Sequence, residues 1–366
     1  MSEPKMETEK ILEGLRRLAD SLKELDDHKS VVPGHYKVLP NDITQSYEIM
    51  TQGASLIHAT STKYTLMGKI SMDEAEKVSQ DLLKGCQLVA TGAHVILTDN
   101  YGCCRSTRIY AKRAARAVVA TVLQLVEAFV HDPTGHIMEK DDNSGAQKCG
   151  AVWQTCDTFL NKTLPQGNRN CMRRDLFTWA MECNETMEEF QEMIDRGPTR
   201  MGNQKTDSKS FEEFCEMDED EQYTEKELEV AKSCVALIKV SRGTINVTLK
   251  SIDCVGDIAE QVDGDKQKAL FKWIGTIHDL VRTVGEDMTD LGTLLYPTLS
   301  LDDIETQANK QAEAVSKAIN FVLDASVEGS DAIEMSEEVT EMAHKLKSVA
   351  QTRKSEIEAA LNAARN

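Results

Sequence analysis

Apolar residues spaced three and four positions apart run through nearly the whole chain, and little interrupts them. Only seven prolines occur in 366 residues, and aromatic residues make up 5%. Spacing of this kind builds one-sided helices, whereas strands need apolar–polar alternation, which is nowhere sustained. The stretch "ILEGLRRLADSLKEL" puts Ile11, Leu15, Leu18, Leu22 and Leu25 on one face. The same spacing predicts helices over about 43–67, 71–98, 101–130, 147–160 and 170–194, then over about 224–262, 264–295, 301–328 and 331–364. Two capping boxes mark helix starts, Ser71 with Glu74 and Thr224 with Glu227. In each, the hydroxyl and the carboxylate three residues on satisfy one another's backbone N–H. "VVPGHYKVLPND" and "NKTLPQGNR" are connectors.

The last four helices are long and the breaks between them short: "VDGDK", "YPTLSLDD" and "EGSD". Short breaks force antiparallel neighbours, hence an up-and-down bundle. The expected fold is all-α, about ten helices in two bundles. Residues 1–196 form the first bundle, 197–223 an acidic flexible linker and 224–366 the second bundle. The linker, "GPTRMGNQKTDSKSFEEFCEMDEDEQY", has no helical stripe, and its residues 211–223 hold seven acids and no base. Phe211 and Phe214 sit among those acids as candidate partner contacts. Ser210 precedes Glu212 and Glu213, a setting that an acid-seeking kinase could modify. The acids do not make a calcium loop, because the glycine at the turn and the closing glutamate are missing.

The chain carries 42 Lys+Arg against 61 Asp+Glu, a formal charge of −19, most of it in residues 211–223 and the C-terminal third. Such a molecule repels phosphate backbones overall. Yet "YGCCRSTRIYAKRAARAVVATVLQLVEAFV" begins strongly basic. On a helix, Arg105, Arg108, Lys112 and Arg116 fall within an arc of about 80°, with Arg113 off the stripe. The ribbon permits three readings: a solvated or internally paired outer edge, a docking surface for an acidic segment, or a DNA-reading helix. The last also needs side chains for base edges and continuity with a dimerisation helix. The apolar face here lacks a heptad leucine seam.

Ten cysteines form no Cys-x-x-Cys and no zinc spacing with histidine, which predicts buried reduced thiols. "MSEPKMETEK" has no apolar signal core, and no apolar run approaches the ~20 residues of a membrane span. The expected location is cytoplasmic and nuclear. No Gly-rich phosphate loop, Gly-x-Ser-x-Gly elbow or His-Glu-x-x-His occurs. The expectation is therefore no catalytic residue, cofactor or metal. Trp153, Trp179 and Trp273 are expected as core anchors.

"KVLPNDITQSYEIMTQGASLIHATSTKYTLMGKISMDEAEKVSQDLLKGC", "CGAVWQTCD" and "YTEKELEVAKSCVALIKVSRGTINVTLKSI" resemble the cyclin-D-binding protein family, described as helix-loop-helix proteins that contact D-type cyclins and a Grb2-related adaptor. The resemblance implies two helical bundles in the style of vinculin and α-catenin. It also implies a regulator of cell-cycle progression and transcription that acts by protein contact. It places an acidic region on Phe211–Tyr223 and a helix-loop-helix, without a DNA-binding basic region, on Gln147–Ile194. The leading expectation is a non-enzymatic adaptor binding D-type cyclin, signalling adaptors or helix-loop-helix factors, without nucleic acid or a membrane span. A cytoskeletal or membrane-associated bundle adaptor is the alternative.

Overall fold

The computed structural model describes residues 3–27, 29–63, 72–131, 145–198, 222–324, 333 and 335–366. Ser71 lies outside them, so the first capping box does too. Among the described residues there are ten α-helices and no strand: α1 (Glu3–Glu24), α2 (Asn41–Ser61), α3 (Met72–Leu97), α4 (Arg105–His131), α5 (Gly145–Leu160), α6 (Gly167–Asp195), α7 (Glu225–Ala259), α8 (Gly264–Thr293), α9 (Leu301–Asp324) and α10 (Glu337–Arg365). The chain divides into two compact units, Met1–Met172 and Arg173–Asn366. That division falls inside α6, whereas the sequence reading places it after the helix.

The first unit packs α1 to α5 around one core. Leu15 and Leu22 of α1, Met50 and Ile57 of α2, Leu82 and Val89 of α3, Val118 and Val122 of α4, and Val152 and Phe159 of α5 meet there. Leu18 and Leu25, on the predicted face of α1, are half-buried against it. α2 and α3 approach closely because glycines line their contact. A Cβ on Gly53 would stand 2.7 Å from the Gly85 oxygen, and one on Gly85 would stand 2.5 Å from Ile57 Cγ1.

A polar knot ties the connections of this unit together. Asn168, in the first turn of α6, is fully buried. Its Oδ1 accepts from the Cys104 N–H at 2.8 Å and from Thr107 Oγ1 at 2.9 Å. Its Nδ2 donates to the His35 and Gly102 carbonyls, both at 2.8 Å. One amide thus serves the start of α4, the turn before it and the α1–α2 connector. The Gly34 N–H adds a bond to the Gly102 oxygen at 2.9 Å. Gly102 has φ +61°, and a side chain there would collide with the Gly34 backbone, so glycine is required on both counts.

In the second unit α7, α8, α9 and α10 follow one another as neighbours, and α10 closes back on α7. This is the up-and-down bundle that the short connections imply. α6, from Arg173 on, lies along α8: Trp179 packs on His278, and Phe190 packs edge-on to Tyr296 just beyond the helix. Trp273 is buried and stacked on Phe321. One amide spans the bundle interior, with Gln311 Nε2 donating to Ser241 Oγ at 2.6 Å and to the Val284 oxygen at 3.0 Å.

The predicted capping box at the start of α7 is present and does more than cap. Glu227 Oε2 accepts from the Thr224 N–H at 2.9 Å, and Thr224 Oγ1 accepts from the Glu227 N–H at 3.2 Å. The other carboxylate oxygen accepts from the Leu299 N–H at 2.8 Å, which pins the α8–α9 turn. Next to it, Tyr223 is completely buried and its hydroxyl donates to the Leu295 oxygen at 2.5 Å. Tyr223, read from sequence as linker, is instead an anchor of the second bundle.

Two outcomes follow from these networks. Asn168→Ala removes four hydrogen bonds and strands a buried N–H, so urea titration is expected to show a loss of about 2–4 kcal/mol. Partial burial raises the pKa of the Glu227 carboxyl, but the N–H groups of Thr224 and Leu299 outweigh it and hold it below the usual glutamate value. A depressed carboxylate pKa stabilises the fold above the unfolded value of about 4.3, and that stability disappears as pH falls through the folded value. Glu227→Ala is expected to cost about 1 kcal/mol at pH 7. The gap to wild type should narrow in thermal melts as pH falls below the unfolded value of about 4.3.

Candidate functional site

The basic ribbon of α4 is not one surface. Arg108 and Lys112 are buried, at 3% and 7% exposure. They reach the end of α1, where the helix stops at Glu24 and leaves carbonyls without intrahelical donors. Arg108 donates to the oxygens of Asp26 and, at 3.3 Å, Lys29. Lys112 donates to the Leu25 oxygen and, at 2.9 Å, to Asp27 Oδ1. Two cations therefore hold the segment that follows α1, residues 25–29, beside a helix C-terminus whose dipole also favours positive charge. The expectation of a basic outer edge available to partners is corrected for these two residues. They are occupied by their own chain, because buried cations must find acceptors.

Arg105 is half-buried, and Arg116 and the off-stripe Arg113 are exposed. Asp27, Ile109, Lys112, Arg113, Arg116 and Ala120 line an open cavity of about 400 Å³. On its floor Asp27 neutralises Lys112. At the rim, Arg113 and Arg116 make no ion pair with any described residue. The groove is thus net positive on a chain of charge −19. Its half-buried Ile109 and exposed Ala120 add apolar surface. Arrangements of this kind take carboxylates or phosphates flanked by apolar side chains.

Phe211, Phe214 and Ser210, the other candidate residues, lie outside the described residues, as does 199–221 of the acidic linker. Sequence reasoning passed over Arg113 because it stood off the stripe. The signal it needed was the register of α1, which decides which cations of α4 turn inward.

The region Gln147–Ile194 contains two helices joined by residues 161–166, as a helix-loop-helix requires. However, Cys149, Val152, Cys156 and Phe159 of α5 are buried in the core of the first unit. The apolar face of α5 is thus covered by α2 and α4.

Nine described cysteines are free, eight of them buried and Cys254 half-buried. Burial pushes the thiols of Cys103, Cys156, Cys183 and Cys234 up to about 12, and that of Cys149 to about 11. Protonated thiols are poor nucleophiles and poor metal ligands. Among the described residues no group of His, Cys, Asp and Glu could hold a metal ion, and no helix is long and apolar enough to cross a membrane.

A family model for the N-terminal part of Grap2 and cyclin-D-interacting proteins matches residues 49–196, and its C-terminal counterpart matches 206–320. The chain belongs to the Grap2 and cyclin-D-interacting family. No curated protein matches it. The Grap2 and cyclin-D-interacting models span α3 to α8 whole, and the break between them, 197–205, falls just after α6 and before the acidic residues 211–223. The α4 residues of the groove lie inside the first match, and Asp27 lies outside it.

The split of the ribbon has a measurable signature. Arg108→Met removes the donor to the Asp26 and Lys29 oxygens, and Lys112→Met removes the donor to the Leu25 oxygen and Asp27. Each is expected to cost about 2 kcal/mol or more in chemical denaturation. Arg116→Ala, at the exposed rim, should stay within about 0.5 kcal/mol of wild type.

Proposed function

We propose that this chain is a non-enzymatic regulator that binds a D-type cyclin and signalling adaptors, and that an acidic segment of a partner docks in the α4 groove. The groove carries this reading: two exposed arginines without partners on the described surface stand beside apolar side chains in a strongly acidic molecule. Leaving such charge uncompensated gives no stability, whereas matching it with a partner's carboxylates gives orientation and specificity. Family membership supports protein partners of this type. Modulation of the cell cycle and transcription, in cytoplasm and nucleus, follows from such binding. Direct DNA reading is disfavoured, since two of the ribbon's four cations face inward onto α1.

The test is retention of purified D-type cyclin by the full-length chain. Arg113→Glu with Arg116→Glu should weaken retention by about tenfold or more, comparable to losing a small hot spot, with helicity unchanged by circular dichroism. No retention by the intact wild-type chain would sink the cyclin assignment. Equal retention by the charge-reversed variant would move the site off α4.

A further inference from the structure

α6 carries a second surface, opposite in charge. Its inner face buries Leu176, Cys183, Phe190 and Ile194. On the outer face Phe177 and Met181 stand one turn apart, 48% and 59% exposed. Large apolar side chains this open are few among the described residues, and these two are adjacent. At 100° per residue, Phe177, Met181, Glu185, Glu188 and Glu192 share an arc of about 80°. All five are exposed. Thus the outer face is apolar at its N-terminal end and acidic along the following turns.

The apolar end is held ready. The Arg173 guanidinium lies over the Phe177 ring, 5.6 Å from its centre, and Arg173 is itself fixed by an ion pair to Asp253. A ring fixed in this way loses little freedom on binding, and Met181 beside it adapts its shape. The acidic end is uncompensated. Glu185, Glu188 and Glu192 make no ion pair with any described residue. Beyond Glu188 the strip opens into a cavity of about 480 Å³ lined by Glu189, Glu192, Met193, Arg196, Tyr296 and Pro297. Tyr296 is 48% exposed there and its hydroxyl donates to Glu189 at 2.6 Å.

We infer that the outer face of α6 is a docking site for a basic amphipathic protein helix of about four turns. Its apolar side chains would cover Phe177 and Met181, and its Lys or Arg residues would meet Glu185, Glu188 and Glu192. The span from Phe177 to Glu192 is about 22 Å, which sets the length. Charge complementarity sets the occupant. Nucleic acid and anionic membrane are repelled by the same carboxylates, and an acidic segment of the kind proposed for the α4 groove does not fit here. The proposal stands independently of that groove.

The probe is a fluorescein-labelled Leu/Lys amphipathic helix of about 16 residues, titrated with the full-length chain and followed by anisotropy. Phe177→Ser with Met181→Ser should weaken binding by about tenfold or more. Glu185→Gln, Glu188→Gln and Glu192→Gln together should do the same and flatten its salt dependence. A charge-matched control, Glu48→Gln, Glu337→Gln and Glu341→Gln, should change binding by less than about twofold. Circular dichroism confirms that each variant is folded. Unchanged binding in both α6 variants overturns the proposal. So does a concentration-dependent dimer that Phe177→Ser with Met181→Ser abolishes, because the occupant would then be a second copy of this chain.

Discussion

A helix that ends inside a protein leaves carbonyls with no donor, and the way α1 meets that demand shapes the N-terminal unit. The chain leaving its last turn runs against α4, and Arg108 and Lys112 supply donors to the Leu25, Asp26 and Lys29 oxygens. Burying two cations is expensive. It is sustained here by several carbonyls, the dipole of α1 and the Asp27 carboxylate acting together. Once those cations are committed inward, the orientation of α4 is set. Arg113 and Arg116 are then left exposed beside Asp27, at the rim of the groove. Asn168 answers the complementary demand at the start of α4, supplying an acceptor to the Cys104 N–H and the Thr107 hydroxyl.

The helices themselves were legible because apolar spacing is a local signal. The buried faces of α1, α4 and α7 consist of the residues that the repeat of 3.6 selects. The short breaks after α7 and α8 likewise implied the antiparallel bundle. The role of the basic ribbon was not legible. Its partners are backbone carbonyls some 80 positions away, and a carbonyl has no letter in the sequence. Arg108 and Arg116 look equivalent on a helical wheel until the end of α1 is placed against one of them. Tyr223 failed for a related reason. It follows a run of acids and looks like their continuation, yet the Leu295 carbonyl and an apolar pocket at the bundle end claim it. The division of the α5–α6 pair was equally hidden, since both helices carry apolar faces and only packing decides where each is buried.

The second bundle shows how buried polar groups are accommodated when they cannot be removed. Ser241, Thr244 and Ser251 on α7 donate to carbonyls of their own helix, so their hydroxyls need no external acceptor. Gln311 uses its amide to join α9 to α7 and α8. Asp287 is buried and held by Lys310 Nζ at 2.7 Å. Fixed polar pairs of this kind favour one register of helix against helix, a role that apolar contacts alone fill poorly. They suit a bundle whose outer helix, α6, must present a defined face.

The two candidate surfaces differ in how a partner would reach them. The net charge of −19 repels acidic partners at a distance and attracts basic ones. At physiological ionic strength that field fades over about 8 Å. An acidic segment therefore gains from Arg113 and Arg116 only on close approach, after crossing an unfavourable region, and its association should be slow and selective. A basic helix approaching Glu185, Glu188 and Glu192 is drawn in by the same overall field, which raises its encounter rate. Lowering the salt would thus slow the first association and speed the second. The sign of the salt effect on the association rate separates the two surfaces without any mutation.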